Sequence, residues 1–509
     1  MNLFSPNLKR NDLIKLSKEN HYKKITINVF RNHSFEVISS ILNAFLAFSK
    51  LKAEFNISSY DDSLSYDNFQ KANLNIIFID LNNYKKNVDD FIKEKIQELS
   101  NISNAPIITL LLGTTSLKEY SICEILKPFL DENLIIDDSN FEINASRLNN
   151  KACVKLAQIL GLKILPSFLQ PTLKAIIIDL DNTLYQGILG EDGIENLTLS
   201  SNHKALQSEL LNLKNQGFLL AIASKNEEED VKKLFSQRKD FSLQLDDFSM
   251  IKANWESKDE NIKEIVKFFN IAFDSVLFID DNIAEIENVS HLHINTLLAD
   301  ENSAYSLKLY PRLLKTSFSK EDELRSADIK ANLQRQELSK LSPKEYFEKL
   351  QICLKFHINH ADELERISQL LNKTNQFISN YSRLSLKECE EFMQKHAILT
   401  VSMNDKLSDS GIIAIFLAYK DETNLIIKDL CISCRALGRK LEKIMLYKAI
   451  ELLHLHFNTK ECILYFQKGE RNMPFLEFLY SLNANIKENF ALIQKEMINY
   501  EGLIIESQF

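Results

Sequence analysis

The sequence predicts an α/β protein in three domains, and three observations carry that prediction. At 509 residues the chain has room for roughly three domains of ordinary size. Residues 22–150 alternate between apolar runs and amphipathic stretches, the pattern of a small parallel sheet with helices on both faces. Between 173 and 317 three more apolar runs each end in a polar cluster, and beyond 351 strands follow one another directly before a basic turn and a helix. The expected boundaries are 1–172, 173–317, a charged helical connector over 318–350, and 351–509.

Composition narrows the function classes. With only 10 glycines and 8 prolines there is little material for flexible linkers, so helical connectors are expected between domains. A net charge of −9 argues against nonspecific nucleic-acid binding. Of the seven cysteines only Cys431 and Cys434 form a C-x-x-C, and no second pair or histidine set completes a zinc site. The odd cysteine count and the absence of an apolar core after Met1 predict a reduced, cytoplasmic setting. The longest clean apolar run, 105–113, is too short to span a bilayer, so no membrane span is expected.

In the N-terminal part, 25–30, 75–80 and 106–112 read as strands, and 36–50 and 88–99 as helices. Arg31-Asn-His-Ser34 sets a serine and a histidine at the carboxyl edge of the first strand. A serine hydrolase would also need a base and an oxyanion donor, which the sequence does not offer. His33 and Ser34 are therefore read as capping the next helix, and the domain as a scaffold or docking module. A helix over 153–160 and a loop holding Pro166 and Pro171 lead onward.

The central part opens with Lys174-Ala-Ile-Ile-Ile-Asp-Leu-Asp-Asn-Thr-Leu184. Three isoleucines in a row predict a strand buried on both faces, as in parallel sheets. Asp179, Asp181 and Thr183 then fall at its carboxyl end, where open α/β sheets place their ligands. Gly187-Ile-Leu-Gly-Glu-Asp-Gly193 reads as a hairpin or flap beside that site. A helix over 203–216 leads to a strand over 218–223 that ends at Ser224-Lys-Asn226. A helix over 262–269 leads to a strand over 275–279 that ends at Asp280-Asp-Asn282, and Lys258 lies between these two strands.

These clusters, in this order, resemble the haloacid dehalogenase (HAD) superfamily of phosphotransferases. A carboxylate can attack an anionic phosphoryl group only where cations offset the repulsion, which explains the residue types. The resemblance implies Asp179 as nucleophile, Asp181 as general acid and base, Ser224 on the phosphoryl oxygens and Lys258 neutralising their charge. It implies Mg²⁺ on Asp179, Asp181, Asp280 and Asp281, with Thr183 and Asn226 on the substrate side. Only 40 residues separate Thr183 from Ser224, and 33 separate Ser224 from Lys258. Neither interval has room for a large cap domain, so the site is expected to be open and covered by another domain or by a carrier protein.

Helix is expected over 319–335, as a solvated connector carrying Arg325, Lys330 and Arg335, and again from Ser342. Beyond it a strand over 353–357, a helix over 364–371 and strands over 398–402, 411–419 and 424–432 precede Ser433-Cys-Arg-Ala-Leu-Gly-Arg-Lys440 and a helix over 441–454. This succession resembles the GNAT acyltransferase fold. The resemblance implies that Arg435, Gly438, Arg439 and Lys440, with Asn472 on a late helix, hold coenzyme A or a phosphopantetheine thioester. Stricter versions of the turn have glycine where this chain has Lys440. Cys434, taken to sit near a helix N-terminus beside two arginines, is a candidate to carry an acyl group as a thioester; the alternative is a small buried cysteine at a strand end. Asn375, Gln376 and Arg383, with Asp405 and Asp409, are candidates for binding the acyl substrate, or solvated loop positions.

Taken together the chain resembles the FkbH-like family (HAD subfamily IIIC). Besides the clusters above, the resemblance rests on Asn254-Trp-Glu-Ser-Lys258 and Asn372-Lys-Thr-Asn-Gln-Phe377. The chain departs from the family at Tyr185-Gln186, where Trp-Gly is usual, at Ser257, where proline is usual, and at Lys440. The resemblance implies an SGNH-like N-terminal domain, without the family-typical Gly-Asp-Ser nucleophile, followed by a capless phosphatase and a GNAT-like acyl handler. It implies transfer of a glyceryl-type acyl unit from a phosphorylated donor to an acyl carrier protein with loss of phosphate, or a role in surface-polysaccharide synthesis. Two alternatives stay open: a simple phosphatase whose C-terminal domain recruits a carrier, and an acyltransferase with a structural HAD core.

Overall fold

The structure, a computed structural model, describes residues 2–16, 22–86, 88–315, 331, 335, 338, 341–469 and 471–508. The α/β class and a three-sheet layout are as expected. Two sheets are wholly parallel and the third is mixed.

The first sheet holds β1 (Lys23–Arg31), β2 (Leu51–Tyr60), β3 (Leu74–Asp80) and β4 (Ile107–Leu112) in the order β2-β1-β3-β4. Every residue of β3 is buried, which is why its sequence is apolar nearly throughout. The edge strand β2 escaped the sequence reading, although Leu51, Ala53, Phe55 and Ile57 alternate with more polar residues as a half-buried strand should. The expected cap is absent. The helix Glu36–Leu46 begins after Phe35 with no side-chain cap, and the Ser34 hydroxyl instead donates to Glu36 Oε2 at 2.6 Å. His33 is buried, stacks on Phe78 and lies 2.9 Å from the Ser146 hydroxyl.

The segment read as a proline loop is helical. Asn150–Ile159 runs through a π turn into Leu165–Leu169, with Pro166 directly after that turn. By length and composition alone the whole of Asn150–Leu169 could cross a membrane, with mean hydropathy 1.5, but 72% of its apolar window is buried inside the protein. It belongs to one continuous apolar core that joins the first sheet to one face of the central sheet.

The central sheet contains β5 (Ala175–Ile178), β6 (Leu219–Ser224), β7 (Met250–Ala253), β8 (Val276–Asp280) and β9 (Asn295–Leu298), ordered β7-β6-β5-β8-β9. The chain winds one way from β5 to β7 and then crosses back to β8. The carboxyl ends of β5, β6 and β8 therefore surround the switch point, the ligand position in such sheets. Ile176, Ile177 and Ile178 are fully buried, each by about 1.5–3 kcal/mol of transfer free energy. The glycine-rich stretch is not a hairpin. It forms the short helix Leu189–Asp192 and a turn, closed by a bridge between Gln186 and Thr198. Gly187 is required there: its φ is +113°, and a Cβ would lie 2.9 Å from both Asp192 and Leu197.

The third sheet holds β10 (Cys353–Ile358), β11 (Ala397–Asn404), β12 (Asp409–Asp421), β13 (Asn424–Ile432), β14 (Glu461–Tyr465), β15 (Ala484–Ile486), β16 (Phe490–Ile493) and β17 (Ile504–Gln508). Their order is β15-β16-β14-β13-β12-β11-β10-β17. Most of the connector helix expected over 319–335 lies outside the described residues. Arg335 is described, and it is not solvated: it is buried, with a two-pronged bond to Asp405 at 2.8 and 2.9 Å. The helix Pro343–Leu350 starts at Ser342 as expected, and the structure adds a capping box to Glu345.

Candidate active site

Three strand ends build the site. Asp179 follows β5, and its amide still donates to Ile279 of β8 at 3.0 Å, so the strand register delivers it beside Asp280, the last residue of β8. One oxygen from each of Asp179, Asp280 and Asp281 lies within 4.8 Å of the others. Lys258 opens the helix Lys258–Phe269, held by the paired amides of Asn254 and Asn261 at 2.8 and 3.0 Å. Its ammonium is buried 2.8 Å from Asp179 and 2.5 Å from Asp280.

Burial and charge set the electrostatics. Burial pushes the Asp179 carboxyl up to about 6, with Lys258 pulling it down and Asp280 adding repulsion. Burial likewise raises Asp280 against the pull of Lys258. Asp281 is raised by burial first and by the charge of Asp179 second. For Lys258 burial acts to lower the ammonium, but the attraction of Asp179 and Asp280 outweighs it and the net shift is upward.

The structure does not bring the Asp181 carboxylate into this cluster, contrary to its expected part as a metal ligand. Its Oδ1 accepts from the Tyr185 hydroxyl at 2.7 Å and the Leu189 amide at 3.1 Å, and its Oδ2 accepts from Asn226 Nδ2 at 2.9 Å. Asn226 also donates to the Ser224 hydroxyl at 3.0 Å, which links the ends of β5 and β6. Thr183 reaches Asp281 at 3.4 Å. Beside Thr183 a cavity of about 390 Å³ is lined by Asn182, Gln186, Asn202, His203, Asp300 and Glu301. From sequence Asn254 was noted only as part of a motif and Tyr185 only as a position where tryptophan is usual, and Asn261 was not singled out.

The donor set suits Mg²⁺, a hard ion that takes carboxylate oxygens. Three carboxylates converge with only one lysine among them, and two of the three are buried. Asp179, Asp280 and Asp281 are the residues that would hold it.

The C-terminal candidates come out differently. Cys434 is half-buried in a turn, and the following helix, Glu442–Phe457, begins eight residues later, so no helix terminus activates its thiol. Arg435 and Arg439 are buried and turn inward. Arg435 donates to the Ser410 carbonyl at 2.9 Å, and Arg439 lies 3.3 Å from the Ser410 hydroxyl and 3.5 Å from Asp405. The Gly438 amide donates to Glu442 Oε1 at 2.7 Å, so a side-chain carboxylate already occupies that anion-seeking donor. Lys440 is exposed with φ +62°, the left-handed conformation that explains why glycine is usual at this position. Asn472 is buried and uses its amide on the carbonyls of Ile378 and Gln467. Arg383 clamps its own loop by donating to the Leu371 and Thr374 carbonyls and to Asn375 Oδ1, while Gln376 is half-buried in that loop. Asp405 binds Arg335, and Asp409 caps its own turn through the Gly411 amide.

A further feature was invisible in the sequence. β13 and β14 pair only from Asn424–Glu461 to Ile427–Leu464 and then separate. The gap is filled by 377–379: Ile432 N–H donates to Phe377 O, Ser379 N–H to Leu430 O and Gln467 N–H to Ser379 O. Buried Asp429 pins this plug by accepting from Ser379 Oγ, Asn380 N and Ser382 N at 2.9, 2.8 and 2.6 Å. Beside it lies a cavity of about 770 Å³ lined by Asn380, Tyr465, Gln467, Lys468, Tyr480 and Lys487, none of them a residue proposed from sequence.

The two candidate centres lie at opposite edges of the central sheet. Lys258 starts the helix Lys258–Phe269 at the carboxylates, and Asn270, just past its other end, donates to the Cys434 carbonyl at 2.6 Å. That helix is about 18 Å long at 1.5 Å per residue. Arg471 pairs with Asp274 on the same amino edge.

No protein-family model matches the chain, and no curated protein matches it. Solved structures similar to it include the N-terminal part of the protein BF1531 from Bacteroides fragilis, which contains a phosphatase domain complexed with Mg: 20% identity, TM-score 0.48, over 61% of this chain and 100% of that one. A predicted HAD-like family hydrolase from Porphyromonas gingivalis is similar at 14% identity and TM-score 0.20, over 26% of this chain and 92% of that one. The PaiA N-acetyltransferase from Thermoplasma acidophilum, in complex with coenzyme A, is similar at 14% identity and TM-score 0.20, over 27% of this chain and 96% of that one.

Proposed function

We propose that the chain is a cytoplasmic, Mg²⁺-dependent phosphotransferase of the HAD type and an FkbH-like protein. In this reading the thiol of Cys434 or of a carrier protein attacks the acyl carbonyl of a glyceryl-type acyl phosphate and expels phosphate, and the Asp179 site removes a second phosphate, held as an ester on the acyl unit. The observation that carries the phosphotransfer part is the convergence of Asp179, Asp280 and Asp281 on a buried Lys258 at the switch point of a parallel sheet.

An Asp179 oxygen attacks phosphorus, and the bond from phosphorus to the leaving oxygen breaks. Asp181 gives a proton to that oxygen where it needs one. Water then attacks the phosphoaspartate, Asp181 takes its proton, and phosphate leaves with Asp179 restored. Lys258 stays charged throughout and Ser224 holds the phosphoryl oxygens. Mg²⁺, when bound, supplies positive charge against the phosphoryl group.

A second reading is favoured by one observation, the placement of Cys434 at the far end of the helix Lys258–Phe269. An acyl unit on the Cys434 thiol would start about a helix length from the Asp179 site of the same chain. In this reading the protein is a phosphatase whose C-terminal domain docks a carrier, and a long flexible arm on the carrier travels between the two edges.

The test is to incubate the protein with Mg²⁺, bisphosphoglycerate and candidate carrier proteins, and to measure the mass of every protein species. Phosphate release that disappears in Asp179→Asn supports phosphotransfer; unchanged release contradicts it. Acyl-enzyme seen in wild type and absent in Cys434→Ala supports the first reading. Phosphate removed from an acyl unit already on the carrier, with no acylation of free carrier by wild type or Cys434→Ala, supports the second.

A further inference from the structure

Tyr185 stands four residues after Asp181, and its ring is fully buried against Phe241 at 6.0 Å and 20°. Phe241 is in turn covered by the Arg238 guanidinium at 4.8 Å, and Arg238 donates to the Leu197 carbonyl at 2.9 Å. The tyrosine is thus locked from behind, and its hydroxyl is aimed at Asp181 Oδ1, 2.7 Å away. The Leu189 amide donates to the same oxygen at 3.1 Å. Two donors fill the two lone-pair positions of Oδ1. Among the described residues Oδ2 has one donor, Asn226 at 2.9 Å, and one open position.

We propose that Tyr185 is a positioning residue that orients Asp181, so that Oδ2 is the oxygen exchanging a proton with the leaving group and with water. This rests on Asp181 acting as acid and base in the reaction above. A carboxylate on a short side chain rotates readily when it is held on one side only, and a misaligned acid loses its effect in proton transfer. Phenylalanine at 185 would fill the same space and leave Oδ1 with the Leu189 amide alone. Tryptophan at 185 would restore a donor through its indole N–H.

The consequence depends on the leaving group, which separates this role from a packing role. An acyl phosphate leaves as a carboxylate and needs no proton, whereas an alkyl phosphate leaves as an alkoxide and does. The experiment compares kcat/KM, which reports the chain of steps up to the first phosphoryl transfer, for acetyl phosphate and glycerol phosphate with Mg²⁺. Tyr185→Phe should lose about 10- to 100-fold on glycerol phosphate, part of what a general acid contributes, and less than about threefold on acetyl phosphate. Tyr185→Trp should recover most of the loss. In an Asp181→Asn background, adding Tyr185→Phe should change nothing further on either substrate. Equal losses on both substrates, or a further loss on top of Asp181→Asn, would overturn the proposal. If Tyr185→Phe does not fold, as judged by its circular dichroism, the tryptophan variant decides. Activity close to wild type on both substrates supports the role, and an equal drop on both overturns it. Asp179→Asn serves as the control: activity surviving there would remove the reading of the whole site, whatever Tyr185 does.

Discussion

The Lys258 ammonium lies 2.8 Å from the Asp179 carboxylate, inside the protein, with Asp280 on its other side. One buried cation thus offsets two buried acids. Removing it in Lys258→Ala leaves two like charges facing each other without compensation. Without metal the variant should lose about 3–5 kcal/mol, the usual cost of breaking a buried pair. Mg²⁺ should restore part of that, because it binds only the folded protein. Differential scanning calorimetry checks this: the rise in midpoint on adding Mg²⁺ should be larger in Lys258→Ala than in wild type.

Metal affinity should depend on pH. The Asp179 carboxyl is raised to about 6 by its burial, so below that pH it carries a proton that a cation must displace. Mg²⁺ affinity measured by titration calorimetry should weaken as pH falls from 7 to 5, with proton release on binding near pH 6. Affinity that stays flat across this window would contradict the burial-driven shift.

His33 makes the N-terminal domain sensitive to acid. Burial first, then Arg31 and Arg147 against the pull of Asp80, lower its imidazole to about 4, and its Nε2 is buried without a hydrogen-bond partner among the described residues. A histidine depressed in the fold binds fewer protons folded than unfolded, so stability falls as pH drops from about 6.5 to about 4. The loss saturates near 3 kcal/mol, at about 1.4 kcal/mol per pH unit. His33→Phe keeps the contact with Phe78, and its urea midpoint should vary less than that of wild type over this window.

Asp429 holds the plug between β13 and β14 through three donors. Asp429→Ala leaves Ser379 Oγ and two amides without their acceptor, at roughly 1–3 kcal/mol for each buried group left unpaired. Hydrogen exchange over 377–382 should speed up in the variant while the β10–β11 pair keeps its protection. Uniform loss of protection across the third sheet would mean that Asp429 supports the whole domain and not the plug alone.

The part of this architecture that is legible in sequence is the part buried on both faces. β5, β6 and β8 read directly as runs of isoleucine, leucine and valine, and the polar residues that end them are the site. The four-residue edge strands β7 and β9 carry mixed residues such as Lys252 and Asn295 and give no periodic signal. Arg335 looked like one more surface charge because its partner, Asp405, lies 70 residues away. The inward turn of Arg435 and Arg439 and the plug at 377–379 come from tertiary pairing, which local pattern does not record. Cys434 was misplaced because the basic turn was taken as the first turn of the helix that follows it.

The most direct test of the central claim is to trap the phosphoaspartate. The protein is mixed with Mg²⁺ and acetyl phosphate, reduced with borohydride, and digested for mass spectrometry. Borohydride converts a phosphorylated aspartate to homoserine. The account predicts homoserine at position 179, and none in Asp179→Asn. Phosphate release without homoserine at 179, or homoserine at another aspartate, would contradict it.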